Sequence, residues 1–169
     1  MSGRICKVKE FPGNQEIVWA IRMYVLECAA ANPVRGEWVE KGQLKTNWES
    51  FSLDATSFEH AERRYLVWAQ KDPDIRGNTN LYIARMDTPW SIQGKQMMIT
   101  KPEYQWERNG FWVNEGPAAL IRNGRVFISY SASATDHNYC MGLLTAEASS
   151  NLLDPNAWSK APQPVFKSC

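Results

Sequence analysis

The sequence predicts an all-β fold of the β-propeller type, incomplete here at about three blades, on three observations. Helical periodicity is scarce. Short apolar or alternating runs bounded by Gly, Pro, Asn and Asp recur along the chain, which is the pattern of strands joined by turns. One composite unit, a strand followed by a proline, a tryptophan and a second apolar stretch, occurs three times. Radially repeated sheets cover one another's apolar faces, and at least four are needed to close a ring. A β-sandwich of about seven strands is the structural alternative.

The clearest strand runs fall at 22–27, 64–69, 81–84, 96–100, 118–122, 125–131 and 141–146. Asn123-Gly124 separates two of them, and both residues tolerate the positive φ of a type I′ turn, so the pair predicts a hairpin. The first copy of the repeated unit runs from Met23 through Pro33 and Trp38 to Leu44. The second runs from Leu81 through Pro89 and Trp90 to Ile99, and the third from Gly142 through Pro155 and Trp158 to Phe166. The spacing between successive tryptophans leaves room for one four-stranded sheet each. Apart from the alanines at 29–31, only 146–153 suggests helix, a turn or two that Asp154-Pro155 would end.

With 169 residues, 44% of them hydrophobic, the chain suits one domain over 1–169 with a sizeable core. Its 19 basic and 18 acidic side chains leave a formal charge of +1, too little to gather nucleic acid or an anionic membrane. Neutral partners fit better. Eight Trp, six Tyr and six Phe supply rings that fill cores or stack on sugars. The four cysteines lack metal-ligand spacing and read as buried thiols, so neither a metal nor another cofactor is expected. The first ten residues lack a signal peptide's apolar run, and no stretch approaches the length of a membrane span, which predicts a cytoplasmic chain as written.

Two acidic residues sit among apolar and small neighbours. Asp54 lies in Phe51-Ser-Leu-Asp-Ala-Thr-Ser-Phe58, and Glu115 in Phe111-Trp-Val-Asn-Glu-Gly-Pro117. Apolar surroundings raise a carboxyl pKa, as a general acid requires, and a second carboxylate nearby raises it further. Glycoside hydrolysis uses two such groups. Equally, Asp54 can cap an Asx-turn and Glu115 can occupy a loop. His60 and His137 have no Cys or second His beside them, no serine sits in a GxSxG elbow, and no Gly-rich phosphate loop is present.

Ser52-Leu-Asp-Ala-Thr-Ser-Phe-Glu-His60, Tyr65-Leu-Val-Trp-Ala-Gln70, Asn80-Leu-Tyr-Ile-Ala84 with Pro89-Trp90, Val113-Asn-Glu-Gly-Pro117 and Ser129-Tyr-Ser-Ala-Ser-Ala-Thr-Asp136 together resemble glycoside hydrolase family 43. The likeness is to its α-L-arabinofuranosidase and β-xylosidase-like members and covers about 22–166. It implies a five-bladed propeller with an axial site and an inverting mechanism on arabinofuranosyl or xylosyl linkages of plant polysaccharide. Glu115 matches the general acid, and Asp54 the aspartate that raises and orients it. Phe58, Trp68, Trp112 and Asp136 are the expected substrate-binding residues. In a non-catalytic alternative, Trp68, Trp106 and Trp112 would bind sugar without cleavage.

Nothing in 1–16 resembles the family's first-blade segment with its general-base aspartate, so the base is expected to be missing unless Asp136 replaces it. Ile17-Val-Trp-Ala20 is similar to the start of a family strand region but runs straight into 21–26, where a strand pair is expected. After Phe166 the closing blade with its axial histidine is not found. The resemblance therefore implies a truncated or internally deleted member with weak hydrolysis at best, since acid–base assistance contributes about 10²- to 10⁴-fold per group.

Overall fold

A computed structural model describes Arg4–Ile5, residues 22–28, residue 32 and residues 34–167. Among these residues twelve strands form three antiparallel sheets. The first contains β1 (Arg4–Ile5), β2 (Tyr24–Glu27) and β3 (Val39–Gln43). The second is the meander β4 (Ser52–His60), β5 (Arg63–Gln70), β6 (Asn80–Thr88) and β7 (Ser91–Thr100). The third runs β8 (Asn114–Arg122), β9 (Arg125–Ala132) and β10 (Cys140–Glu147), with β11 (Ser159–Lys160) and β12 (Phe166–Lys167) pairing along the outer edge of β10. The sheets do not close on themselves, so the fold is an open, partial β-propeller.

The repeated strand–proline–tryptophan–strand unit marks the outer hairpin of each sheet, β2–β3, β6–β7 and β10–β11; Pro33 of its first copy lies outside the described residues. Two cores separate the three sheets. Leu66 and Trp68 of β5 pack with Met23, Val25, Leu44 and Tyr82 toward the first sheet. Tyr65, Val67 and Ala69 of the same strand pack with Ile128, Tyr130 and Leu144 of the third. A sheet buried on both faces needs apolar residues at successive positions, and β5 is buried without interruption from Tyr65 to Gln70. Gln70 closes that run by donating to Thr46, Trp48 and Ser50 while accepting from Trp68 and Gln96.

The Asn123-Gly124 hairpin forms as the sequence predicts, with φ of 50° and 72° at its two residues. The helix expected at 146–153 does not. Ala146 pairs with Val126 in the β9–β10 ladder, and burial alternates with period two along β10, so cross-strand packing overrides a weak local helix preference. Turns follow, ending in a 3-10 turn (Pro155–Ala157) capped by the Asp154 carboxylate on the Asn156 amide. The alanines at 29–31, the segment 17–20 and, apart from Arg4–Ile5, the expectation about 1–16 fall outside the described residues.

Candidate functional site

β4 and β8 are the first strands of the second and third sheets and lie against one another. Each carries a bulge at the residue of interest. The β4–β5 register slips between Leu53 and Thr56, and Asp54 takes a φ of 52°, a left-handed conformation that Asp tolerates better than most residues. On β8 the register slips between Glu115 and Ala118, with Gly116 at φ 59°. Bulges re-aim side chains out of the regular alternation. The Gly116 amide donates to Asp54 Oδ2 at 3.1 Å, so Asp54, exposed as a residue, has one carboxylate oxygen turned onto the backbone beside Glu115.

Electrostatics follow from this placement. Burial pushes the Asp54 carboxyl above the ordinary aspartate range, and the Gly116 N–H pulls it partly back. Burial also raises Glu115, and the charge of Asp54 raises it further. Among the described residues no other charge acts appreciably on Glu115. The arrangement pairs one carboxyl with a reason to hold its proton and a neighbour that supplies part of that reason.

Buried groups hold the strand that carries Glu115. Asn114 donates its amide to Thr79 O at 3.1 Å and accepts the Thr79 hydroxyl at 2.9 Å, while its side-chain amide donates to Glu107 Oε1 at 3.0 Å. Glu107 is 0% exposed. It accepts the Glu103 and Tyr104 amides at 2.8 Å, the Tyr130 hydroxyl at 3.0 Å and the Lys160 ammonium at 2.7 Å. A buried carboxylate with every lone pair engaged can be rigid as well as charged. Desolvation lowers the Lys160 pKa against the pull of Glu107, and burial together with the Glu107 charge drives the Tyr130 pKa far upward. Sequence reasoning missed this network, because nothing in Tyr104-Gln-Trp-Glu107 distinguishes a buried acid from a solvated one. It also missed Ser131, which faces Glu115 in the ladder and accepts the Tyr139 hydroxyl at 2.7 Å.

One expected substrate-binding residue is corrected. Trp68 is 0% exposed in the core between the first two sheets, and its indole N–H donates to Gln70 Oε1 at 2.9 Å; no ring face is left for a sugar. Phe58 stacks on Tyr65 at 5.4 Å and packs against the core between the second and third sheets. Trp106 likewise packs between Tyr104 and Tyr130. Trp112 lines a cleft of about 240 Å³ with Phe111 and Arg76, but the Arg76 and Arg108 guanidinium groups each stand 4.4 Å from its ring centroid. Asp136 is exposed and folds back on its own turn, accepting from the Asn138 amide and side chain at 2.8 Å. The backbone N–H of Asn138 holds its carboxyl below the usual range.

The fold is that of a β-propeller protein, with two carboxyls of raised pKa on the first strands of adjacent sheets, linked through the Gly116 amide. The chain belongs to the glycosyl hydrolases family 43, whose model matches residues 8–168. It is 56% identical over 151 residues to an extracellular exo-α-(1→5)-L-arabinofuranosidase of Streptomyces chartreusis, a match covering 89% of this chain and 46% of that protein. Against α-L-arabinofuranosidase 43 of Humicola insolens the identity is also 56%, covering 89% of this chain and 31% of the relative. The crystal structure of an α-L-arabinofuranosidase from Lactobacillus brevis superposes with a TM-score of 0.86 at 57% identity, covering 88% of this chain and 46% of that one. The chain thus spans less than half the length of each of these relatives.

Proposed function

We propose that this chain is the acid-bearing part of a catalytic domain that cleaves α-L-arabinofuranosyl linkages with inversion. In this reading Glu115 protonates the departing glycosidic oxygen and Asp54 raises and orients it. The observation that carries the reading is the electrostatic coupling of the pair: Asp54 adds its charge to burial in raising Glu115, while the Gly116 amide ties Asp54 to the same strand. Arabinofuranosyl is favoured over xylosyl because the relatives at 56% identity are named arabinofuranosidases. Export of the parent protein is favoured over the cytoplasm because one of them is named extracellular. An inverting site holds its water in a gap of about 6.5 to 9.5 Å between acid and base, and the base, Asp136 or a carboxylate beyond the described residues, would face Glu115 across it.

The test compares aryl α-L-arabinofuranosides of poor and good leaving ability. Glu115→Gln should slow the poor leaving group at least about 10²-fold and the dinitrophenyl substrate far less, since the latter departs without a proton. Equal turnover of both by Glu115→Gln and the parent would remove Glu115 from the acid role. A second reading, sugar binding without cleavage, draws on the Trp112 ring in the cleft that it lines with Phe111. Calorimetric binding of arabino-oligosaccharides without release of aglycone by the parent chain would support it.

A further inference from the structure

A second cleft, of about 450 Å³, opens at the far end of β4, lined by His60, Arg63, Tyr65, Arg85, Ser149 and Ser150 among others. It lies between the β4–β5 hairpin and the loop after β10. Asp54 and His60 are six residues apart on β4, roughly 20 Å along the strand, so this cleft is separate from the carboxylate pair. Three observations mark it as built for a ligand. Arg85 Nε is buried with no hydrogen-bond partner, the sole such side-chain atom among the described residues. A buried donor without an acceptor is costly and calls for an explanation.

Charge supplies the second observation. Arg64 pairs with Glu59 and Arg125 with Glu147, whereas neither Arg63 nor Arg85 has an acidic partner among the described residues, and no carboxylate lines the cleft. Glu59, Glu62 and Asp87 line a neighbouring depression that Arg63 also borders, and Glu59 is committed to Arg64. Third, the cleft is held open by structure: His60 Nε2 and the Ala148 carbonyl meet at 2.6 Å, fixing the loop that carries Ser149 and Ser150 to the hairpin.

We propose that this cleft is an oxyanion-binding site that takes a carboxylate or phosphate group. Arg85 contributes the guanidinium that lines the cleft, Arg63 adds charge from the hairpin, and the Ser149 and Ser150 hydroxyls complete the donor set. Guanidinium groups suit planar and tetrahedral oxyanions because their donors form a rigid fork. The volume exceeds that of a bare ion and leaves room for an anion carried on a small organic body.

The experiment titrates the chain in low-salt, phosphate-free buffer with sodium phosphate, with galacturonate and, as neutral control, with arabinose, following amide shifts of Arg63, Arg85 and Ser150 by NMR. Saturable shifts with both anions assign a general oxyanion site; saturation with galacturonate alone assigns a sugar acid, and with phosphate alone a phosphate group. Arg85→Gln should weaken binding at least tenfold, Arg63→Gln severalfold, and Glu115→Gln not at all. Arg63 is exposed, so its variant reports on the site even if Arg85→Gln loosens the fold. Shifts that fail to saturate with either anion, or binding unchanged in both arginine variants, overturn the proposal.

Discussion

The Gly116 amide and the Asp54 carboxylate meet at 3.1 Å across 62 positions of sequence and across the seam between two sheets. The bulge at Asp54 on β4 and the bulge beside Glu115 on β8 bring the Asp54 carboxyl to the backbone next to Glu115. What looked from the sequence like an Asx-turn is a long-range contact.

Removing the Asp54 charge should lower the Glu115 pKa. Asp54→Asn keeps an oxygen for the Gly116 amide and deletes only the charge that raises Glu115. A carboxyl-detected NMR titration should show the Glu115 midpoint at lower pH in the variant. In a turnover assay the alkaline limb, where the acid loses its proton, would move the same way. An unmoved midpoint would mean that burial alone sets Glu115.

Glu115→Gln should stabilise the fold at neutral pH. A carboxyl whose folded pKa is raised favours the folded state below its unfolded pKa, and that contribution is lost as pH rises through the folded value. At pH 7 the wild type has paid that loss and the glutamine variant has not. The expected gain in Tm is about 2 °C, shrinking to nothing below pH 4.5, the ordinary glutamate value. Melting curves at pH 4 and 7 check it.

Gly116→Ala should cost about 1 to 2 kcal/mol for placing a side chain at left-handed φ, here 59°. The new methyl would lie 3.2 Å from Ser131 Oγ and 3.9 Å from Asp54 Oδ2. Denaturant unfolding measures the loss.

Glu107→Gln leaves the Lys160 ammonium buried opposite an uncharged group. Breaking a buried ion pair from one side costs about 3 to 5 kcal/mol, or about 10 °C in Tm for a chain of this size. Because Asn114 hangs on Glu107, amide shifts of Glu115 and Gly116 should move as well. Glu107→Asp, which keeps the charge, should recover part of both. Stability close to wild type in Glu107→Gln would show that the network is dispensable.

Much of this molecule was legible in the linear pattern, for definite reasons. The apolar run from Tyr65 to Ala69 and the repeated proline–tryptophan unit translate directly into a doubly covered strand and an outer hairpin, because burial on two faces and a sharp turn each demand particular residue types. Asp54 and Glu115 stood out through apolar neighbours. Trp68 misled because an aromatic ring serves a core and a sugar site equally well; only depth separates the uses. Glu107 stayed hidden since its partners Asn114, Tyr130 and Lys160 come from three separate strands. The Ala146 segment failed as helix because its neighbour in space, Val126, decided its conformation.

Among the described residues the middle sheet touches a core on each face, whereas the first and third sheets are each packed on one. Cooperative opening should therefore be graded, with amide protons of β5 and β6 exchanging slowest and those of the two flanking sheets escaping earlier. Asp54 rides on the slow unit and Glu115 on a faster one. The pair exists only while the two units stay docked, so a brief sub-global detachment would switch off the chemistry long before the chain lost most of its structure.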